Sequence, residues 1–234
     1  ALLGPLRAWA EGHGIAVVED AAQAIGARDA DGAPAGGRGE AGCFSFFPSK
    51  NLGAFGDGGM VTTRSEDLAR RLRELRNHGR GADGLHRVVG TNSRLDALQA
   101  AVLRVKLRHL SSWTKQRREN AHFYDERFAS LGFALRTPPA APAPAVHVYN
   151  QYVLRVAADR RDALRAHLAA HGIETRIYYE RGLHREPCFA ALATPPLPAT
   201  EAACGETLAL PVHPELGAAD REHVAESVRA FLGG

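Results

Sequence analysis

The sequence is poor in sulfur and in aromatic residues: three cysteines, one methionine and two tryptophans in 234 residues, with aromatics at 7%. The cysteines, Cys43, Cys188 and Cys204, are odd in number and far apart. That spacing excludes a disulfide framework and a cysteine-type metal site, so no metal is expected, and a reducing, cytoplasmic compartment is. Long apolar runs are missing too. Nothing approaches the ~20 residues of a membrane helix, and the short apolar start is interrupted by Gly4, Pro5 and Arg7, unlike a secretory signal. Formal net charge is only +3 and the arginines are spread along helical segments, which excludes a basic stripe for nucleic acid. The single methionine is Met60 and the first residue is Ala1, so the chain reads as processed, trimmed or part of something longer.

What is present is ordinary globular material, 45% hydrophobic and 24% charged, enough for one large domain or two modest ones. Leu3, Leu6 and Trp9 have helical spacing and predict a helix over 2–13. "IAVVEDA" is a β-branched run of the kind buried in parallel sheets. The Gly/Ala/Asp-rich loop "DADGAPAGGRGEAG" follows, to be either mobile or wrapped over a surface. "CFSFF" and "GMVTT" predict two more short strands. Ser65, with Glu66 and Asp67 in the first turn, opens a helix to about His78 behind half a capping box. Leu95, Leu98, Val102, Val105 and Leu110 predict one buried face of a long helix over 95–131. The Pro/Ala-rich stretch from Thr137 to His147 marks a connector. Beyond it, "VYNQYVLRV", "RRDALRAHLAAHG", "IETRIYY" and "ADREHVAESVRAFLG" predict strand, helix, strand, helix. Two domains are expected, 1–131 and 132–234, the second a small α/β unit.

Two residues carry unusual chemistry for their positions. Asp20 ends a buried strand, where open α/β sheets present ligands, although an acid there also serves as a turn cap. Lys50 follows an apolar aromatic strand, where burial disfavours its ammonium form and favours attack on carbonyl groups; many lysines after strands are simply solvated. The glycines at 53, 56, 58 and 59 favour close backbone approach to a ligand. Ser45 offers a hydroxyl to a phosphate. A Schiff-base lysine, an acid for a pyridine nitrogen and a phosphate donor are together the needs of pyridoxal 5'-phosphate.

The blocks "VVEDAAQAIGA", "FSFFPSKNLGAFGDGGMVTT", "LRNHGR" and "GTNSRLDALQAAVL" resemble successive blocks of the DegT/DnrJ/StrS sugar-nucleotide aminotransferases. "HVYNQYVLRV", "GIETRIYY" and "LALPVHPEL" resemble that family's small-domain blocks, so the resemblance covers essentially the whole chain. It implies an α/β fold of the aspartate-aminotransferase type (pyridoxal-phosphate fold type I), with part of the large domain and a small α/β C-terminal domain. It also implies pyridoxal 5'-phosphate as cofactor. Lys50 would carry it as a Schiff base and shuttle the proton, Asp20 would pair with the ring nitrogen, Gln23 would lie against the ring or its hydroxyl, and Ser45 would bond the phosphate. Asn92 would reach the phosphate of a neighbouring subunit, making the active site shared across a homodimer. Arg94 would face the partner's substrate pocket or anchor its own helix through a salt bridge. His184, in "YYERGLH" where the family usually has prolines, is a further candidate substrate contact. Family members also begin upstream, with a phosphate loop and a ring-stacking aromatic that this chain lacks.

The function so implied is transamination of a nucleotide-linked ketosugar with L-glutamate as amino donor. The wording of "PSKNLGAFGDGG" leans toward 3-keto over 4-keto sugars. Glutamate would leave as 2-oxoglutarate before the ketosugar takes the amine. A sugar dehydratase is disfavoured because those family members replace the lysine with histidine. A non-catalytic fragment or regulatory remnant is the alternative from another class, supported by the missing upstream segment and opposed by the intact Asp20, Gln23, Ser45, Lys50 and Asn92.

Overall fold

Strands β1 (Val18–Asp20), β2 (Ala41–Ser45) and β3 (Gly59–Thr62) form one sheet in that order. They belong to a computed structural model that describes residues 3–192 and 194–233. β1 runs parallel to β2 with Asp20 opposite Cys43, and β3 runs antiparallel with Gly59 opposite Ser45. Side chains alternate along a strand and opposed residues share a face. Asp20, Cys43 and Ser45 therefore lie on one face, and Glu19 and Phe44 on the other. β1 is shorter than the predicted run because Val17 turns its carbonyl to Glu40 N–H (2.9 Å) rather than to a strand.

The glycine-rich loop after β1 is wrapped over the Glu19 face. A Cβ on Gly36, at φ +77, would lie 2.4 Å from Phe44 Cζ, and one on Gly42 would lie 2.3 Å from Gly36 Cα. Only glycines allow that contact.

α1 (Leu3–Gly12) forms as predicted, but it leaves Leu6 and Trp9 exposed and buries Ala10. α2 (Glu66–Leu75) starts where Ser65 Oγ accepts Leu68 N–H at 3.2 Å. It stops short of His78, which adopts φ 59, while Thr91 N–H takes the carbonyl of Leu75 at 2.8 Å.

The long helix expected over 95–131 is two helices, α3 (Ala97–Leu107) and α4 (Leu110–Phe128). Between them His109 N–H tightens onto Lys106 O (2.9 Å), and Ser112 Oγ donates back to His109 O (2.8 Å). The predicted buried face is also corrected. Leu98 and Val105 are 74% and 59% exposed, whereas Leu103 is buried. α3 is apolar around much of its circumference, so periodicity alone does not select the inward face.

The second unit pairs β4 (Tyr152–Arg155) antiparallel with β5 (Thr207–Leu210). Around them are α5 (Ala158–Ala170), α6 (Pro198–Glu206) and α7 (Ala218–Leu232). "IETRIYY" contributes a single bridge, Arg176 to Ala209, rather than the predicted strand; the second strand comes instead from 207–210. Tyr124, Tyr152, Leu154, Leu164, Leu168, Leu208 and Val228 are its largest fully buried side chains. Burial pushes the Tyr124 hydroxyl strongly up, and it stays protonated to donate to Pro211 O at 3.0 Å.

The compact units are 1–114 with 141–150, and 115–140 with 151–234, rather than the expected division at 131/132. The Pro/Ala-rich connector returns to the first unit because Val146 and Arg28 exchange backbone hydrogen bonds (2.9 and 3.1 Å) and Asn51 Nδ2 donates to Val148 O (2.9 Å).

Candidate active site

β1 and β2 are parallel, so both deliver their C-terminal ends to the same sheet edge, the place where α/β sheets bind ligands. Asp20 ends β1 and is exposed; Ser45 ends β2 on the same face. Ala21 N–H continues the pairing to Cys43 O at 2.8 Å. Gln23 follows in a turn closed by Ala24 N–H to Ala21 O (3.0 Å), with its side chain exposed at this edge.

Lys50 is half-buried in the loop that leaves β2. The loop is closed by Lys50 N–H to Phe47 O (2.9 Å), Ala54 N–H to Phe46 O (2.8 Å) and Phe46 N–H to Gly58 O (2.8 Å). A Cβ on Gly53 would sit 2.3 Å from Pro48 O, so the turn closes only over a glycine. Leu52 and Ala54 pack beneath it with Phe46 and Leu103.

The polar atoms at this edge suit a pyridine ring bearing a phosphate. Asp20 Oδ1 accepts Ala22 N–H at 3.0 Å, which orients the carboxylate and leaves Oδ2 for a protonated ring nitrogen. Ser45 Oγ accepts Phe47 N–H at 3.2 Å, leaving its own proton to donate to an anion. Lys50 supplies a primary amine. An acid and a hydroxyl donor on one face, with a primary amine on the loop that leaves the same strand, fit the group.

Glu19, next to Asp20, is directed away from that edge. It is 7% exposed and accepts three backbone N–H bonds: Oε1 from Arg38 and Gly39 (both 2.6 Å), Oε2 from Gly36 (2.8 Å). Burial raises its pKa, but the N–H groups of Gly39, Gly36 and Arg38 outweigh this and hold the carboxyl below its ordinary value. The period-2 alternation of a strand separates the two acids: Glu19 fastens the loop and Asp20 is left for a ligand.

Asn92 and Arg94 lie elsewhere in the first unit. Their loop is held by His78 N–H to Thr91 O and Ser93 N–H to Arg76 O, both 2.9 Å. They line a groove of about 780 Å³ with α2 and β3, whose lining omits Asp20, Ser45 and Lys50. Arg94 Nη1 donates to Asn77 Oδ1 at 2.9 Å rather than to a carboxylate. His184 lies in the second unit, its side chain 6% exposed and 3.2 Å from Glu201 Oε1, the same oxygen that Arg185 Nη2 reaches at 2.7 Å. Arg185 and then His184 hold the Glu201 carboxyl below its usual value.

Sequence reasoning passed over Glu19, Asn51, Gln99 and Lys106. Strand alternation would have flagged Glu19. The other three are tied to residues 44 or more positions away and carry no local signal.

The mixed α/β structure has the fold type I architecture of solved sugar aminotransferases. The crystal structure of Streptomyces venezuelae DesV matches with TM-score 0.94 at 42% identity, over 100% of this chain and 62% of that one. NtdA from Bacillus subtilis, solved with bound PMP, matches at TM-score 0.87 and 26% identity, over 100% and 54%. The chain belongs to the DegT/DnrJ/EryC1/StrS aminotransferase family, whose model matches residues 2–229. A curated relative from Acidithiobacillus ferrooxidans, UDP-N-acetyl-3-dehydro-alpha-D-glucosamine 3-aminotransferase, is 44% identical over 98% of this chain and 60% of its own length. The chain thus spans about 60% of the length of the relatives it matches.

Proposed function

We propose that the protein catalyses pyridoxal-phosphate-dependent transamination of a nucleotide-linked 3-ketosugar, with L-glutamate as amino donor. The observation that carries the reading is the convergence of Asp20, Ser45 and the Lys50 loop at one edge of one sheet. The 3-keto preference is supported by the name of the Acidithiobacillus relative and by the "PSKNLGAFGDGG" block.

When bound, the cofactor supplies an electron sink for cleavage of a C–H bond beside the transferred nitrogen. Asp20 keeps the ring nitrogen protonated, Gln23 borders the ring and Ser45 donates to the phosphate. The Lys50 amine would hold the cofactor and, when free, would accept the proton from the donor's α-carbon and later deliver a proton to the sugar carbon that takes the amine. Asn92 serves the phosphate of a second copy of the chain, and Arg94 faces that copy's substrate. Exposed Leu98, Val105, Phe55 and Val89 in the first unit support such a homodimer, since apolar area of this kind is commonly covered by a partner. Lys50 in place of histidine argues against sugar dehydration.

The test is reconstitution of the full-length protein with pyridoxal 5'-phosphate. A visible absorbance band that bleaches with L-glutamate, together with borohydride modification of Lys50 alone, is the expected result. No band and an unmodified Lys50 would overturn the reading.

A further inference from the structure

The loop that carries Lys50 is gripped from one side by α3. Phe55 N–H donates to Gln99 Oε1 at 2.8 Å, and Gly53 O accepts from Lys106 Nζ at 2.5 Å. The Lys106 ammonium also lies 5.5 Å from the Phe55 ring centroid. Between these two polar contacts Leu103 packs on Leu52, Ala54 and Phe46. Gln99, Leu103 and Lys106 fall on one stripe of the helix.

That stripe reverses the usual arrangement of an amphipathic helix. α3 turns Gln99 and Lys106 inward, both half-buried, while Leu98 and Val105 face outward. Long polar side chains are directed inward against a loop when backbone groups there need partners. Gly53 O and Phe55 N–H are those groups. Because the loop closes on itself at Phe46–Ala54 and at Phe47–Lys50, a shift of Gly53–Phe55 displaces Lys50 as well.

We propose that Gln99 and Lys106 are positioning residues for Lys50, acting through the backbone of its loop. The inference rests on the function proposed above. Lys106 supplies a charged donor that a neutral side chain of similar length does not replace, and Gln99 supplies an acceptor that leucine lacks.

The test uses Lys106→Met, Lys106→Arg and Gln99→Leu in the full-length protein. The first readout is hydrogen exchange of the peptide spanning 50–57 without cofactor. The second is the dissociation constant for pyridoxal 5'-phosphate and the yield of borohydride-fixed Lys50. Lys106→Met and Gln99→Leu are expected to speed exchange in that peptide about tenfold, leave exchange in α5 and α7 unchanged, and weaken cofactor binding about tenfold. Lys106→Arg restores most of both. Unchanged exchange in the loop would overturn the inference. So would a loosened loop that still binds and fixes the cofactor like wild type, since the two side chains would then serve stability alone. A wild-type protein that never fixes cofactor at Lys50 would instead overturn the functional reading, and this one with it.

Discussion

Glu19→Gln isolates the contribution of a buried charge that lies on the face opposite Asp20. The wild-type carboxylate satisfies Arg38 and Gly39 N–H through one oxygen and Gly36 N–H through the other. An amide keeps an oxygen for the first pair but sets an NH₂ group against the third donor. Bonds to a charged acceptor contribute about 1.5–3 kcal/mol each, neutral ones about 0.5–1.5, and a buried unmet donor costs about 1–3. The net destabilisation is about 3 kcal/mol, on the order of a hundredfold in the folding constant. Urea unfolding followed by tryptophan fluorescence reads this directly, because both tryptophans, Trp9 and Trp113, lie in the first unit. The sign of the pH dependence is fixed by the depressed carboxyl: its stabilisation is fully present above the ordinary value of 4.5 and is lost as pH falls through the lower folded value. The gap between wild type and variant should therefore narrow in acid. A gap under about 0.5 kcal/mol at neutral pH, or one that stays constant into acid, would refute the reasoning.

Other substitutions probe other links. Gly79→Ala, at φ +74 with the new Cβ 1.6 Å from Val88 O, should destabilise the first unit by more than about 2 kcal/mol and distort the Asn92 loop; near-wild-type unfolding would contradict the geometry. Tyr124→Phe leaves Pro211 O unmet and should cost the second unit about 1–2 kcal/mol by calorimetry. Lys50→Ala is expected to abolish turnover while leaving the melting temperature nearly unchanged, and a fully active variant would remove Lys50 from the mechanism. On the proposed shared site, Asn92→Ala should release cofactor more readily without changing subunit association, measured by dialysis and sedimentation.

The sequence carried most of what its local physics controls. The placement of Asp20, Ser45 and Lys50 at strand ends and in the loop that follows was legible because these are local patterns, and Ser65 marked its helix for the same reason. Where the outcome depended on distant partners, legibility failed. Nothing between Leu95 and Leu131 announces the break at His109, since neither proline nor glycine occurs there before Leu131. Leu98 and Leu103 are equally apolar, and only the packing of the Lys50 loop decides which turns inward. "IETRIYY" has strand-forming residues, but 207–210 takes the full ladder with β4 and leaves Arg176 a single bridge. Arg94 and His184 came from the family resemblance alone, and the structure gives each a partner 17 positions away, Asn77 and Glu201.

α3 begins directly after the Asn92–Arg94 block and holds the Lys50 loop along its length. It is a ruler between the two features. Deleting one residue from it would turn everything beyond by about 100° and shorten it by about 1.5 Å, taking either Gln99 or Lys106 off its carbonyl or amide. Substitutions on its outward face leave both grips in place, whereas a change in its length cannot keep the two together.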